Sequence, residues 1–448
     1  MSLRLFKKIY HGRAPCSGCR GFLVWMLLLY LPAACIPLLY LSGCATSPIS
    51  DPYHISIDQF PEFMNQDGSR INPASIDSSI PDVDVLSLNE EIKAILDGSV
   101  AGIKNSGQRL KALVDIISKK VKYNTQDDRF GTKTAIETYE SGTGNCLSFV
   151  NLFISMARYV KLDSGYQDIR TPPNWIKNGE ALFVTRHIGA YVNYEIPVQG
   201  SYVLDLSGNK SIVVMDIKKS VFIAPSLDAE GPEVGSYSTG PIPDRMAFAQ
   251  YYNNIASQYL AAGDVAGAYR YFIKAIKTDP NLSFIWSNLG VAYLRNNQDD
   301  AAEKAYLHAF LINKGKDEIS EMTIMSNMAR LYSKTGEKER AVFYEKEVAS
   351  FRDKNPYYNF FKGKAAFSDG FYEESVRQFK EAIRKKDDEH LFHYALGLSY
   401  IKLEDYSDAE RSLKKAISYT GDEIIKDFYK QVLDNLLKSE ADLQKPTG

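Results

Sequence analysis

Cysteine is nearly absent from the body of this 448-residue chain. Of five cysteines, Cys16, Cys19 and Cys35 fall within the first 35 residues, and Cys44 follows an apolar run. Beyond that point Cys146 stands alone, which excludes an internal disulfide there and leaves one thiol free for chemistry. Cys16 and Cys19 have CxxC spacing, but they precede the apolar run with no fold around them, so neither zinc nor redox chemistry is expected. Histidine is scarce too: of six, only His187 lies between His54 and His308. An excess of either charge is also missing. With 53 basic and 55 acidic residues the net charge is −2, which gives nucleic acid no electrostatic reason to bind. Clustered acids of the kind that hold calcium are not seen, and no cofactor is expected. What remains is the make-up of a folded soluble protein, 45% hydrophobic and 24% charged, at a length that implies two or three domains.

Residues 1–20 carry Arg4, Lys7, Lys8, Arg13 and Arg20 with no acid, and residues 21–40 are almost wholly apolar. A basic region followed by an apolar core is an export signal. The Leu41-Ser42-Gly43-Cys44 run at its end resembles the lipobox of bacterial lipoproteins. That resemblance implies cleavage within 1–44, acylation of Cys44 and stable membrane anchoring through several acyl chains. Ala45 rather than an acid follows, which implies an outer membrane with the body of the chain facing the periplasm. The alternative is a plain transmembrane anchor, which Pro32 and Pro37 would interrupt. Residues 45–85, rich in Ser, Pro, Asp and Ile without period, are expected to form a flexible tether.

A catalytic-looking domain is expected over 86–225. Asn89 or Ser87 caps a first helix, and Leu110, Leu113, Val114, Ile117 and Val121 mark a second near 106–121. A glycine turn, Gly142-Thr143-Gly144-Asn145, then runs into a helix from Cys146 to about Val160 that is apolar nearly all round and so belongs at a domain's centre. A cysteine in the first turn faces unpaired N–H groups and the positive end of the helix. Both favour negative charge on sulfur and on an oxyanion. Two strand-like runs follow, Phe183 to Tyr194 and Tyr202 to Leu206. His187 lies in the first, off the apolar face made by Ile188, Ala190 and Val192; Asp205 lies in the second between Leu204 and Leu206. Thiol, imidazole and carboxylate in that order suit cysteine acyl transfer. Separately, each has a plainer role: small core residue, structural histidine, turn cap.

Cys146 after Gly144, the helix ending Met156-Ala157-Arg158-Tyr159, and then His187 and Asp205 resemble the transglutaminase-like superfamily of papain-fold proteins. The resemblance implies an α+β papain-like core with Cys146 as nucleophile, His187 as general base and acid, and Asp205 as the orienting carboxylate. The aromatic that assists the oxyanion in crosslinking members has no clear counterpart; Trp175 and Tyr123 are the candidates.

A Pro- and Gly-rich linker over 226–247 precedes a second half with a period of thirty-four residues. Ala256, Tyr259, Ala268 and Phe272 recur as Gly290, Tyr293, Ala302 and Tyr306, and again as Ala329, Tyr332 and Ala341 after an insertion near Lys314 to Ser320. Further units carry Gly363, Ser375 and Phe379, then Gly397, Ala409 and Leu413, with an amphipathic closing helix at 422–439. This is the length and pattern of tetratricopeptide repeats, an all-α solenoid over 248–440 that binds a protein or an extended peptide. The expected function is a lipid-anchored cysteine peptidase or amidase whose repeats hold a partner or substrate. An inactive envelope scaffold and a protein-crosslinking transglutaminase are the alternatives.

Overall fold

A computed structural model describes residues 56–120, 131–170, 177–178, 181–182, 187–194, 200–205, 213–214, 237–313, 315–421 and 423–443. The basic and apolar leader, Cys44, residues 45–55, Tyr123, Trp175 and residues 226–236 of the linker lie outside the described residues. Among the described residues no helix is long and apolar enough to cross a membrane.

From residue 56 the chain is folded where composition suggests a tether. Phe63–Met64 (β1) pairs with Arg70–Ile71 (β2), and Ile76–Ser79 (α1) follows. Helices Glu90–Ser99 (α2) and Ser106–Lys120 (α3) come next, with Asn89 Oδ1 accepting from the Ile92 N–H at 3.0 Å as the cap of α2. Ala135–Ser141 (α4) opens with a reciprocal capping box between Thr134 and Glu137. Cys146–Tyr159 (α5) is buried from Leu147 to Ala157, as its all-round apolar sequence requires.

The sheet is assembled around α5. Asp163–Arg170 (β3) is followed by the short Lys177–Asn178 (β4) and Ala181–Leu182 (β5) pair, His187–Tyr194 (β6), Gly200–Asp205 (β7), Val213–Val214 (β8) and Tyr237–Ile242 (β9). The five-stranded order is β8-β7-β6-β3-β9, and each neighbouring pair is antiparallel. Part of the expected linker is thus the edge strand β9, on the outside of β3. Gly240 sits there at φ +119° beside the bulge at Asp168/Ile169, and Pro241 is tolerated because an edge strand needs fewer donors.

Helices then pair in succession: Asp244–Ala261 (α6) with Val265–Thr278 (α7), Ser283–Arg295 (α8) with Asp299–Asn313 (α9), and Glu318–Thr335 (α10) with Lys338–Lys354 (α11). Pro356–Ser368 (α12) pairs with Tyr372–Lys385 (α13), His390–Lys402 (α14) with Tyr406–Tyr419 (α15), and Glu423–Leu443 (α16) closes the array. The recurring small residues mark close crossings: a Cβ on Gly290 would stand 2.4 Å from the Tyr306 ring. Tyr293, Tyr332 and Tyr400 are buried in this packing as the period requires. Tyr259 is 37% exposed and stacks on Tyr271, because no preceding repeat covers the first pair.

Two cores result. One runs from Ile57 through the sheet domain to Val348 in the third helix pair; the other joins the last two pairs to α16, from Phe360 to Leu436. The N-terminal segment belongs to the first. Phe60 lies against Trp286 and His308, and Phe63 stacks on Tyr269 at 4.8 Å. Lys277 pairs with Asp58 and Asp77, Lys274 with Asp77 and Asp82, and Tyr293 donates to the Pro61 carbonyl. Burying each phenylalanine supplies roughly 1.5–3 kcal/mol, enough to offset much of the ordering entropy that a free tether would keep.

Candidate active site

Cys146 occupies the first position of α5, half-buried and as a free thiol. The turn in front of it is tightly specified. Gly142, at φ +65°, ends α4 in the left-handed conformation that glycine adopts without penalty. A Cβ on Gly144 would come within 2.5 Å of the Ser148 Cβ, so only glycine lets the chain pass this close to the first turn of α5. Asn145 caps the helix, its Oδ1 accepting from the Ser148 N–H at 3.1 Å.

The segment 131–134 lies alongside and is stitched to this turn. The Asn145 N–H donates to the Gly131 carbonyl at 3.2 Å, and the Lys133 N–H donates to Ser148 Oγ at 2.8 Å. Asn151 Nδ2 donates to the Lys133 carbonyl at 3.2 Å, while its Oδ1 accepts from the Tyr166 hydroxyl at 2.7 Å. Burial pushes the Tyr166 phenol well above its ordinary range, so it stays a neutral donor beneath α5. Thr132 Oγ1 accepts from Asn145 Nδ2 at 2.6 Å and from Asn254 Nδ2 of α6 at 2.9 Å. One threonine therefore ties the first repeat helix to the cap of the cysteine helix. Beside it an open cleft of about 460 Å³ is lined by Thr132, Lys133, Glu137, Glu140, Ser141, Tyr251 and Ile255.

The reversal at Val160 to Leu162 carries the chain from α5 into β3. Fourteen helical residues rise about 21 Å and eight strand residues about 26 Å, so the Arg170 end of β3 returns to the level of Cys146. His187 pairs with Ile169 at that same end. The β6–β7 register runs to Ala190↔Leu204; one step further, Asp205 stands opposite Gly189. By alternation, positions 187 and 205 fall on one face of the sheet. Tyr166, Ala190 and Val192 form the other face, buried beneath α5. Cys146 thus opens the helix that covers the Tyr166 face, whereas positions 187 and 205 fall on the opposite face of the sheet by their register. The side chains of His187 and Asp205 lie outside the described residues.

Several parts of this site carry weaker sequence signals. Asn145 is legible as a cap, since Asn-x-x-Ser precedes an apolar run. Thr132 and Asn254 are not, because their pairing spans 122 residues. Asp168, an acid buried in β3, falls in a stretch without clear alternation.

Comparison with known proteins finds two kinds of family model along the chain. Residues 93–185 match the model of the transglutaminase-like superfamily, and tetratricopeptide-repeat models match 249–282, 271–304 and 362–423. No curated protein matches the chain. Among solved structures, the tetratricopeptide protein YrrB is 17% identical over 41% of this chain and 92% of its own, with a TM-score of 0.21. MamA from Desulfovibrio magneticus RS-1 is 16% identical over 40% of this chain and 96% of its own, with a TM-score of 0.22. Scores this low carry no argument, and the assignment rests on the family models and on the helix pairs themselves. The chain carries a transglutaminase-like domain followed by an array of tetratricopeptide repeats.

Proposed function

We propose that this protein is an exported, lipid-anchored cysteine acyl-transfer enzyme that hydrolyses an amide or peptide bond, with repeats that hold its protein partner or substrate. The observation that carries this reading is the placement of Cys146. A free thiol opens a capped, buried helix, and the strands that begin with His187 and end with Asp205 follow it in the chain. Cys146 sulfur attacks the carbonyl carbon as His187 takes the thiol proton, and N–H groups of the first turn of α5 stabilise the oxyanion. The C–N bond breaks, His187 protonates the departing amine, and a thioester remains on sulfur. Water, giving its proton to His187, releases the acid and restores the thiol; an amine in place of water would crosslink. Asp205 orients the imidazole. Acylation of Cys44 would hold the enzyme at the outer membrane, facing the periplasm.

The test is the rate of Cys146 alkylation across pH in the full-length protein and in His187→Ala. Fast alkylation well below about pH 8, slowed or shifted in the variant, is the expected result. Matching profiles that titrate like a free thiol would sink the enzyme reading and leave a scaffold acting through its repeats.

A further inference from the structure

Two carboxylates of α4 line the cleft that opens beside the cysteine turn. Glu137 and Glu140 stand three residues apart on that helix, both exposed. Glu137 Oε2 accepts from the N–H and the hydroxyl of Thr134, at 2.8 and 3.0 Å, within the capping box. Glu140 Oε1 accepts from Asn89 Nδ2 at 3.2 Å. Neither carboxylate has an ion pair among the described residues, and each keeps its second oxygen for a further donor. Among the described lining residues the one cation is Lys133, whose ammonium is held by Thr143 Oγ1 at 2.7 Å and Ser141 Oγ at 3.3 Å.

An independent observation comes from the wall that α6 supplies. Tyr251 lines the cleft and is only 5% exposed, yet its hydroxyl has no hydrogen-bond partner among the described residues. Burial, and then the Glu137 carboxylate, push this phenol well above its ordinary range, so it stays neutral. A buried hydroxyl without a partner is costly, and an arriving polar group would relieve it. Ile255, one turn further along α6, makes the same wall apolar. The volume of about 460 Å³ falls within the range of ligand pockets, roughly 300–1,000 Å³.

We infer that this cleft receives the ammonium side chain of a lysine in the peptide substrate. An ammonium has three donors, and the cleft offers three acceptors: one oxygen each from Glu137 and Glu140, and the Tyr251 hydroxyl. The Tyr251 ring and Ile255 cover the methylene stem. Two bonds set the cleft beside the thiol. Thr132 on its rim accepts from Asn145 Nδ2, next to Cys146, and the Lys133 N–H donates to Ser148 Oγ in the first turn of α5. Cys146 is not among the lining residues, so the held lysine anchors the substrate and is not an attacking amine. A side chain fixed there decides which bond of an extended peptide reaches the sulfur. The inference rests on the cysteine reading and names the substrate class of that site.

The test uses full-length protein carrying Cys146→Ala, so that binding is measured without turnover. A fluorescent peptide of alternating lysine and glycine is titrated by anisotropy, beside a counterpart in which every lysine is acetylated. The lysine peptide should bind at least about tenfold more tightly, and increasingly weakly as salt rises. Glu137→Gln keeps the capping box and Glu140→Gln keeps the acceptor for Asn89. Each should therefore weaken binding about fivefold, and Tyr251→Phe about threefold, with helical circular dichroism unchanged. Glu373→Gln, exposed on α13, should leave binding as it is. Equal binding of the two peptides, or lysine binding untouched by the cleft variants, would overturn the site. So would a loss in Glu373→Gln as large as theirs, since attraction would then be spread over the surface. Because the thiol is absent throughout, failure here strikes the cleft alone and leaves the alkylation of Cys146 to decide the enzyme reading.

Discussion

Thr132 is the narrowest link between the repeats and the cysteine turn, and replacing it with valine isolates that link. The swap keeps the branched shape and removes the oxygen that accepts from both Asn145 Nδ2 and Asn254 Nδ2. Each lost hydrogen bond is worth about 1 kcal/mol, and Thr132 itself is buried, so Thr132→Val should cost about 2 kcal/mol. Asn254→Ala removes one of the two bonds and should cost about 1 kcal/mol. The double variant should cost about what Thr132→Val costs alone, since the Asn254 bond is already gone, giving a coupling energy near 1 kcal/mol. The urea midpoint of the first core reads the stability. The alkylation rate of Cys146 reads the consequence at the site, because a loosened Asn145 frays the first turn of α5. Full additivity of the two variants, or a Thr132→Val cost under about 0.5 kcal/mol, would refute the idea that the repeats brace the cysteine turn.

Tyr166→Phe leaves Asn151 Oδ1 without its buried donor and should cost about 1–3 kcal/mol in urea unfolding while the helix content stays unchanged. Gly290→Ala forces a methyl against the Tyr306 ring and should cost about 1–3 kcal/mol through overpacking, read as a lower midpoint for the first core. The separate clusters on either side of Asn355 predict two unfolding steps, with amide exchange in residues 360–436 independent of that in the first core. A single concerted exchange rate would contradict this. His393 is buried, which holds its imidazole below the usual range; its Nε2 lies 2.7 Å from the Asp387 carbonyl. The unfolded chain therefore binds the proton more readily than the folded one. Stability of the second core should be full above the unfolded value near 6.5 and fall as pH drops below it. Thermal melts at pH 7.5 and pH 5 should show the decrease, and His393→Phe should flatten it.

How much of this molecule is legible from its sequence follows the distance over which each pattern acts. The cysteine helix is legible because its evidence is local: a glycine turn followed by a run that is apolar nearly all round. The repeats are legible because their period restates one local pattern, and Gly290, Gly363 and Gly397 each sit where a larger ring or side chain crosses close by. The order of His187 and Asp205 is equally plain in the chain, yet the strand that lies between them and the cysteine helix in sequence is β3, whose Asp163–Arg170 stretch shows no clean alternation. A central strand has both faces covered, so Tyr166 and Gln167 are buried side by side and the period of two disappears. The segment from residue 56 to 85 fails for a different reason. Its composition is that of a tether, and Ile57, Phe60 and Phe63 are too few to predict a fold of their own. Their partners, Trp286, Tyr269 and Tyr293, lie more than two hundred residues away on the repeats. Only the finished array offers a surface on which three apolar side chains and two lysines can hold an otherwise polar strand. Thr132 and Asn254 belong to the same class: neither is notable until the sheet domain and the first repeat meet. The local signals therefore name the chemistry, and the long-range contacts decide which surfaces it is joined to.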